Sequence, residues 1–139
     1  MSQIGKVVYT AKTHTTGGRE HGSSRSSDGS LDVKLSTPGS GRIGTNPEQL
    51  LAAGWSACFE SAMGVAARKM KLKLPADLSI DAEVDLNLAG DAYFLRARLN
   101  VSLRGVDRKT AQALVNAADQ TCPYSTAMRG NIDVRIHLI

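Results

Sequence analysis

The chain has few cysteines and few aromatic side chains. Its 139 residues include only two cysteines, and aromatic residues make up 4% of the composition. With so few rings, we expect a core that consists mainly of aliphatic side chains. Two cysteines without a recognisable secretion signal favour the reducing cytoplasm, where disulfides are usually transient and catalytic or redox-sensing.

Long hydrophobic runs are also missing from the sequence. No uninterrupted apolar stretch approaches the roughly 18 residues of a membrane span, and the first ten residues lack the apolar centre of a signal peptide. Hydrophobic residues make up 42% and charged residues 22%, which is enough for a packed core. We therefore expect a cytoplasmic protein with no membrane partner.

The net charge of +4 is dispersed along the chain. Stacking aromatics do not interleave with the densest basic group, apart from one phenylalanine. We therefore predict a solvated sheet face and helix start here rather than a nucleic-acid surface. The basic group consists of Arg96, Arg98, Arg104, Arg108 and Lys109.

The length predicts a single domain over residues 1–139, with a β-meander and loop over 1–45 and a helix plus α/β portion over 46–139. The pattern of residues 5–35 predicts a three-stranded antiparallel meander with a break at Gly17-Gly18 and a turn at Asp28-Gly29. An apolar helix follows, with Asn46 as its N-cap, and continues to Met70. Two alternating strands, a helix, a short helix and a last strand complete the chain.

This order of elements predicts an α+β fold in which antiparallel sheets wrap around a long, buried central helix. The helix is apolar over most of its circumference, and one small monomer could hardly cover it on all sides. We therefore expect a homodimer whose two sheets enclose a shared pair of central helices. Gly54 and Gly64 lower helix propensity, so we expect each to permit close packing.

The two cysteines are open to several interpretations. Cys58 lies on the apolar helix, where a cysteine taken alone is usually a packing residue. Cys122 precedes Pro123 at a helix start, where backbone N–H groups stabilise a thiolate, although a small buried residue would also suit this junction. A metal site is disfavoured because CxxC and HxxxH spacings are missing. The histidines that such a site could use are His14, His21 and His137.

Arg19 and Glu48 are two further candidates. Arg19 follows the Gly-Gly break, which could direct its side chain off the sheet edge, or it could be a solvated turn arginine. Glu48 falls in the first turn of the long helix, where a carboxylate is favourable in any protein. The pattern alone leaves both alternatives open.

Two long motifs, "GTNPEQLLAAGWSACF" and "TCPYSTAMRGNI", resemble those of the organic hydroperoxide resistance proteins in the OsmC/Ohr superfamily. "TGGR" and "SSDGSLDVKLSTP" fit the same family, and the resemblance covers essentially the whole chain. Two features depart from it, namely Trp55 in place of a tyrosine and the short loop "GSGRIG".

The resemblance implies an OsmC-like intertwined homodimer and a thiol peroxidase without a bound cofactor or metal. Cys58 would be the peroxidatic thiolate and Cys122 the resolving thiol, with Arg19 as the activating cation and Glu48 as the carboxylate that holds it. The substrates would be alkyl and fatty-acid hydroperoxides. An external dithiol, such as the lipoyl groups of dehydrogenase complexes, would be the reductant.

Apolar neighbours of Cys58 on the same helix would form the substrate pocket. Such a lining favours an organic tail over hydrogen peroxide, because hydrogen peroxide buries no apolar surface. The predicted substrate-binding residues are Leu51, Trp55, Phe59 and Met63.

Two points conflict with a simple version of this interpretation. The helix-dipole argument favours Cys122 as the thiol with the lower pKa, whereas the resemblance makes Cys58 the nucleophile. Glu48 and Cys58 are also about 15 Å apart along a straight helix, so we expect them to serve one site from different subunits. The alternative functions are a non-enzymatic redox sensor and a structural dimer with inert thiols.

Overall fold

The computed structural model describes residues 4–139. The chain divides into two compact units, one up to Pro47 and the other Glu48–Ile139.

The first unit contains a three-stranded antiparallel sheet of order β1-β2-β3. Its elements are β1 (Thr13–Thr16), α1 (Gly18–His21), β2 (Ser23–Ser26) and β3 (Asp32–Lys34). The predicted turn at Asp28-Gly29 joins β2 to β3, with Gly29 at φ 77°. The Asp28 carboxylate accepts hydrogen bonds from Ser26 Oγ (2.7 Å) and the Ser30 amide (3.0 Å), which stabilises this turn.

The meander begins later than the sequence predicted. In the described part of the chain, residues 4–12 form no strand, and Ile4, Val7, Val8 and Tyr9 are exposed. The reason is the length of the neighbouring strand: β2 ends at Ser26, and the Ser27 amide makes the last hydrogen bond, to the Lys12 carbonyl. β propensity without a partner strand does not make a sheet.

The second unit contains α2 (Pro47–Lys69), β4 (Ser79–Ala89), β5 (Ala92–Ser102), α3 (Arg108–Thr121), α4 (Pro123–Met128) and β6 (Asp133–Leu138). These elements occur in the predicted order. The predicted antiparallel pairing is confirmed for β4 with β5 but is wrong for β6, which pairs parallel to β5 in a sheet of order β4-β5-β6. A connection through α3 and α4 returns the chain to the same end of the sheet, so the strand it leads into runs parallel.

One face of α2 forms the centre of the core. Trp55, Phe59 and Met63 lie four residues apart on this face, and all three are fully buried. They belong to a cluster that includes Leu99 of β5 and Leu114 of α3. As predicted, most of the core is aliphatic.

The opposite side of α2 remains accessible in a single chain, with Ala57, Ser61 and Val65 exposed. Contrary to our reading of the sequence, α2 is long and apolar enough to cross a membrane when judged by length and composition alone. The core helix of a globular protein meets the same criterion. Because Trp55 and Phe59 pack into a core, we interpret α2 as such a helix.

The outer face of the β4-β5-β6 sheet is charged. Arg98 donates hydrogen bonds to both carboxylate oxygens of Asp85 (2.8 and 2.9 Å) and to Glu83 (2.6 Å). Arg96 lies over the ring of Phe94, 5.5 Å from its centroid. The basic side chains of β5 are therefore paired on a solvated face, as predicted for Arg96 and Arg98.

Candidate active site around Cys58 and Cys122

The structure brings the two cysteines together. Cys58 lies half-buried on α2, whereas Cys122 is fully buried between α3 and α4, and both are free thiols. A hydrogen bond joins their side chains. Two thiols in such contact can form a disulfide after a small movement, provided that one of them is first oxidised.

Cys122 is held by its backbone at the junction of two helices. Its amide donates to the Ala118 carbonyl (2.8 Å), which ends α3, and its carbonyl accepts from the Thr126 amide (2.9 Å), which begins α4. Pro123 occupies the first turn of α4, a position where the missing N–H is harmless. In the described chain the Cys122 side chain makes no capping hydrogen bond to α4. Its thiol is therefore available to Cys58.

Opposing effects act on the Cys58 thiol. Burial raises its pKa above the ordinary value, and the hydrogen bond with Cys122 raises it further. The backbone amide of Tyr124, in the first turn of α4, donates to Cys58 and lowers the pKa. The start of α4, which we expected to act on Cys122, thus directs an N–H at Cys58.

Tyr124 is a site residue that the sequence analysis missed. A Cβ atom built on Gly54 would lie 2.6 Å from Tyr124 Oη and 3.1 Å from its Cζ, so the ring packs directly on α2 one turn before Cys58. This confirms the expected role of Gly54. At Gly64, a Cβ would meet Arg68 Nη1 at 3.7 Å, an ordinary contact, so close packing there is not confirmed. A glycine four residues before a candidate catalytic cysteine was the available signal.

The predicted substrate-binding residues differ in their exposure. Leu51 is half-buried and packs against the core cluster. Trp55, Phe59 and Met63 have no exposed surface in the described chain, so they are core residues here, and substrate contact by them stays a prediction. Trp55 also donates a hydrogen bond from Nε1 to Ser125 Oγ (3.1 Å). The indole borders a cavity of about 190 Å³ between α2, α3, α4 and β6.

Arg19 lies half-buried in α1, within the first unit. The chain enters α1 through Gly17 (φ 79°) and Gly18 (φ 70°), a conformation that residues with side chains rarely adopt. At the end of α1, a Cβ on Gly22 would lie 2.2 Å from the Thr16 carbonyl oxygen. Glycine is therefore required at both ends of the turn that carries Arg19.

A second arginine holds this turn from outside. Arg42, in the loop "GSGRIG", donates from Nε to the Leu35 carbonyl (3.1 Å) and from Nη2 to the His21 carbonyl (3.1 Å). One side chain thereby ties the last residue of α1 to the segment after β3. This loop thus supports the turn that contains Arg19.

Glu48 lies half-buried in the first turn of α2, as predicted. The helix continues without interruption from Pro47 to Lys69, so the axial separation of about 15 Å between Glu48 and Cys58 applies. Among residues 4–139, no group of three His, Cys, Asp or Glu side chains is placed to hold a metal ion.

Comparison with known proteins gives a consistent result. The family model described as OsmC-like protein matches residues 37–137. An organic hydroperoxide resistance protein from Xanthomonas axonopodis pv. citri is 49% identical over 99% of each chain. The crystal structure of the organic hydroperoxide resistance protein OhrB of Bacillus subtilis is 40% identical, covers 96% of this chain and 100% of its own, and has a TM-score of 0.89. A structure of such a protein from Legionella pneumophila is 39% identical over 96% of this chain and 98% of its own, with a TM-score of 0.88.

Proposed function

The chain belongs to the OsmC-like family, and on this basis we propose that it is a thiol-dependent peroxidase that reduces organic hydroperoxides to alcohols. Its relatives are named for resistance to organic hydroperoxides. The observation that carries the proposal is the hydrogen-bonded pair of thiols, Cys58 and Cys122, held by α2 and by the α3–α4 junction. This pair supplies both an attacking and a resolving sulfur.

In the first step, the Cys58 thiolate attacks the distal oxygen of the hydroperoxide, the one that carries the hydrogen. A sulfur–oxygen bond forms, the oxygen–oxygen bond breaks, and the alkoxide leaves and takes up a proton. The product on the protein is a Cys58 sulfenic acid. Because burial raises the pKa of Cys58, this step needs positive charge near the sulfur.

We assign that charge to Arg19, in addition to the Tyr124 amide. An arginine remains charged at any working pH and can bind a thiolate and a carboxylate through its planar fork. Glu48 would hold the guanidinium in place. Given the length of α2, Glu48 of one protomer would serve the site of its partner in a homodimer.

In the second step, the Cys122 thiol attacks the sulfur of the sulfenic acid. The Cys58–Cys122 disulfide forms and water leaves. An external dithiol then reduces the disulfide to two thiols and is itself oxidised to a cyclic disulfide. A lipoyl group of a cytoplasmic enzyme complex is the reductant that we propose.

The organic part of the substrate would contact apolar side chains close to Cys58. Leu51 is half-buried and lies on the same helix, with Trp55, Phe59 and Met63 in the core behind it. Burial of a hydrocarbon tail contributes about 0.8 kcal/mol per methylene group, which hydrogen peroxide cannot gain. We therefore expect alkyl and fatty-acid hydroperoxides to be preferred.

Intact-mass spectrometry of the reduced protein after a slight excess of an organic hydroperoxide tests the proposal. The wild type should lose two hydrogens, Cys122→Ser should retain added oxygen, and Cys58→Ser should not react. A wild type whose mass does not change would refute the peroxidase. Repeated turnover with excess dihydrolipoamide would indicate an enzyme. A single stoichiometric oxidation without turnover would indicate a redox sensor.

A further inference from the structure

We propose that the hydrogen bond between Trp55 and Ser125 is a positioning device that holds Cys122 against Cys58 and thereby favours disulfide formation over further oxidation of Cys58. The inference rests on the proposed function, because it concerns the fate of the Cys58 sulfenic acid. It makes Trp55 and Ser125 positioning residues, since neither has to touch the substrate.

The placement of the two residues carries the argument. Trp55 precedes Cys58 by three residues on α2, and Ser125 of α4 follows Cys122, the N-cap of that helix, by three residues. Residues three apart on a helix are neighbours on its surface. The Trp55–Ser125 contact therefore lies beside the contact between the two thiols, on the same pair of helices.

Because this hydrogen bond is buried, its loss is energetically costly. Trp55 has no exposed surface and Ser125 is 3% exposed, and Nε1 lies 3.1 Å from Oγ. The indole N–H is a donor only, and a buried donor that loses its acceptor is not compensated by water. The Trp55–Ser125 hydrogen bond therefore opposes separation of α4 from α2.

The short helix α4 depends on such contacts. It comprises six residues, too few to be stable by itself in water. On α2 it packs through Tyr124 against Gly54 and through Ser125 against Trp55. Without the second contact, α4 would spend more time away from α2, and it would carry Cys122 with it.

The distance between the helices decides between two reactions of the sulfenic acid. With the Cys122 thiol it gives the disulfide and water. With a second hydroperoxide molecule it gives a sulfinic acid and an alcohol, which removes Cys58 from the cycle. The rate of disulfide formation is fixed for a given geometry, whereas the rate of over-oxidation rises with the hydroperoxide concentration. The concentration at which half of the protein is over-oxidised therefore measures how well Cys122 is positioned.

The experiment compares wild type, Trp55→Phe, Ser125→Ala and the double variant. Each reduced protein is titrated with cumene hydroperoxide in the presence of dihydrolipoamide, and the sulfinic form is counted by intact-mass spectrometry. We expect each variant to reach half over-oxidation at a hydroperoxide concentration lower by roughly fivefold to tenfold, the equivalent of one neutral hydrogen bond. The double variant should match the single ones, because either change removes the same bond.

Two controls separate positioning from a general loss of structure. In Ser125→Ala, the rate of the first thiol oxidation under single-turnover conditions should stay within about twofold of wild type. Movement of α4 removes both the Tyr124 amide, which lowers the pKa of Cys58, and the Cys122 hydrogen bond, which raises it. Ser125→Thr keeps the hydroxyl and should keep the wild-type threshold. If Trp55→Phe folds poorly, Ser125→Ala and Ser125→Thr still form a matched pair.

An unchanged over-oxidation threshold in Ser125→Ala would overturn the inference while leaving the peroxidase intact. A wild type that forms neither a disulfide nor a sulfinic acid with cumene hydroperoxide would overturn both. A threshold that falls equally in Ser125→Ala and Ser125→Thr would assign the effect to altered packing and overturn the role of the hydrogen bond.

Discussion

Replacement of Gly54 by alanine should destabilise the protein, although the same change in most helices is stabilising. Removal of an interior helical glycine ordinarily gains about 1 kcal/mol. Here the new Cβ would lie 2.6 Å from Tyr124 Oη, so the ring must move off α2. Tyr124 is 37% exposed, and if its displacement returns about 100 Å² of ring to water, the loss is about 2.5 kcal/mol. The balance predicts a net destabilisation of about 1–2 kcal/mol.

A double-mutant cycle with Tyr124→Ala isolates this contact. In the Tyr124→Ala background the Cβ meets no ring, and Gly54→Ala should then stabilise the protein by about 1 kcal/mol. Urea unfolding of the four reduced proteins measures the free energies of unfolding. If Gly54→Ala is as stable as wild type or more so, the ring can leave α2 without cost and the reasoning is wrong. Slower alkylation of Cys58 in Gly54→Ala would show that the Tyr124 amide moves with the ring.

Three further predictions concern charge. Arg19→Gln should raise the pH at which Cys58 alkylation by iodoacetamide reaches half its maximum, with Arg19→Lys in between, because a cation stabilises the thiolate; equal profiles would count against Arg19. Mixing Glu48→Gln with Cys58→Ser subunits should restore about a quarter of wild-type turnover if the carboxylate acts across the dimer, and none if it acts within one chain. Hydrogen bonds from Thr110 lower the pKa of Asp107, which caps α3, so its contribution is present above the unfolded-state pKa and is lost as pH falls through the folded-state pKa. Asp107→Ala should therefore lower the thermal midpoint more at neutral pH than in acid below the folded-state pKa, and an equal effect in both conditions would contradict this.

Local chemistry explains which features the sequence could predict. The start of α2 was predictable because proline suits the first turn of a helix and asparagine suits the position before it. The β2–β3 turn was predictable because Asp28-Gly29 meets a conformational requirement within a few residues. The candidate cysteines could be named because each lies in a long motif. These signals depend on neighbours in sequence.

The features that were missed depend on partners far along the chain. The direction of β6 is set by the route of the chain through α3 and α4, and alternation of apolar residues is the same in parallel and antiparallel strands. Which sulfur the Tyr124 amide faces depends on how α4 packs on α2. The hydrogen bond from Trp55 to Ser125 joins residues that are 70 positions apart, and the sequence around neither residue indicates it.

The contact between the Cys58 and Cys122 thiols has a consequence for the choice of reductant. A thiol that attacks the proposed disulfide would first become covalently attached to one cysteine, while the other cysteine would be released beside it. That released thiol is tethered in place, so it has an effective concentration that a small reagent in solution cannot match. It therefore displaces the attached thiol from the mixed disulfide. A monothiol is thus expelled repeatedly, whereas a dithiol completes the exchange with its own second sulfur. On the proposed mechanism, the close placement that speeds closure of the bond would therefore select reductants that carry paired thiols.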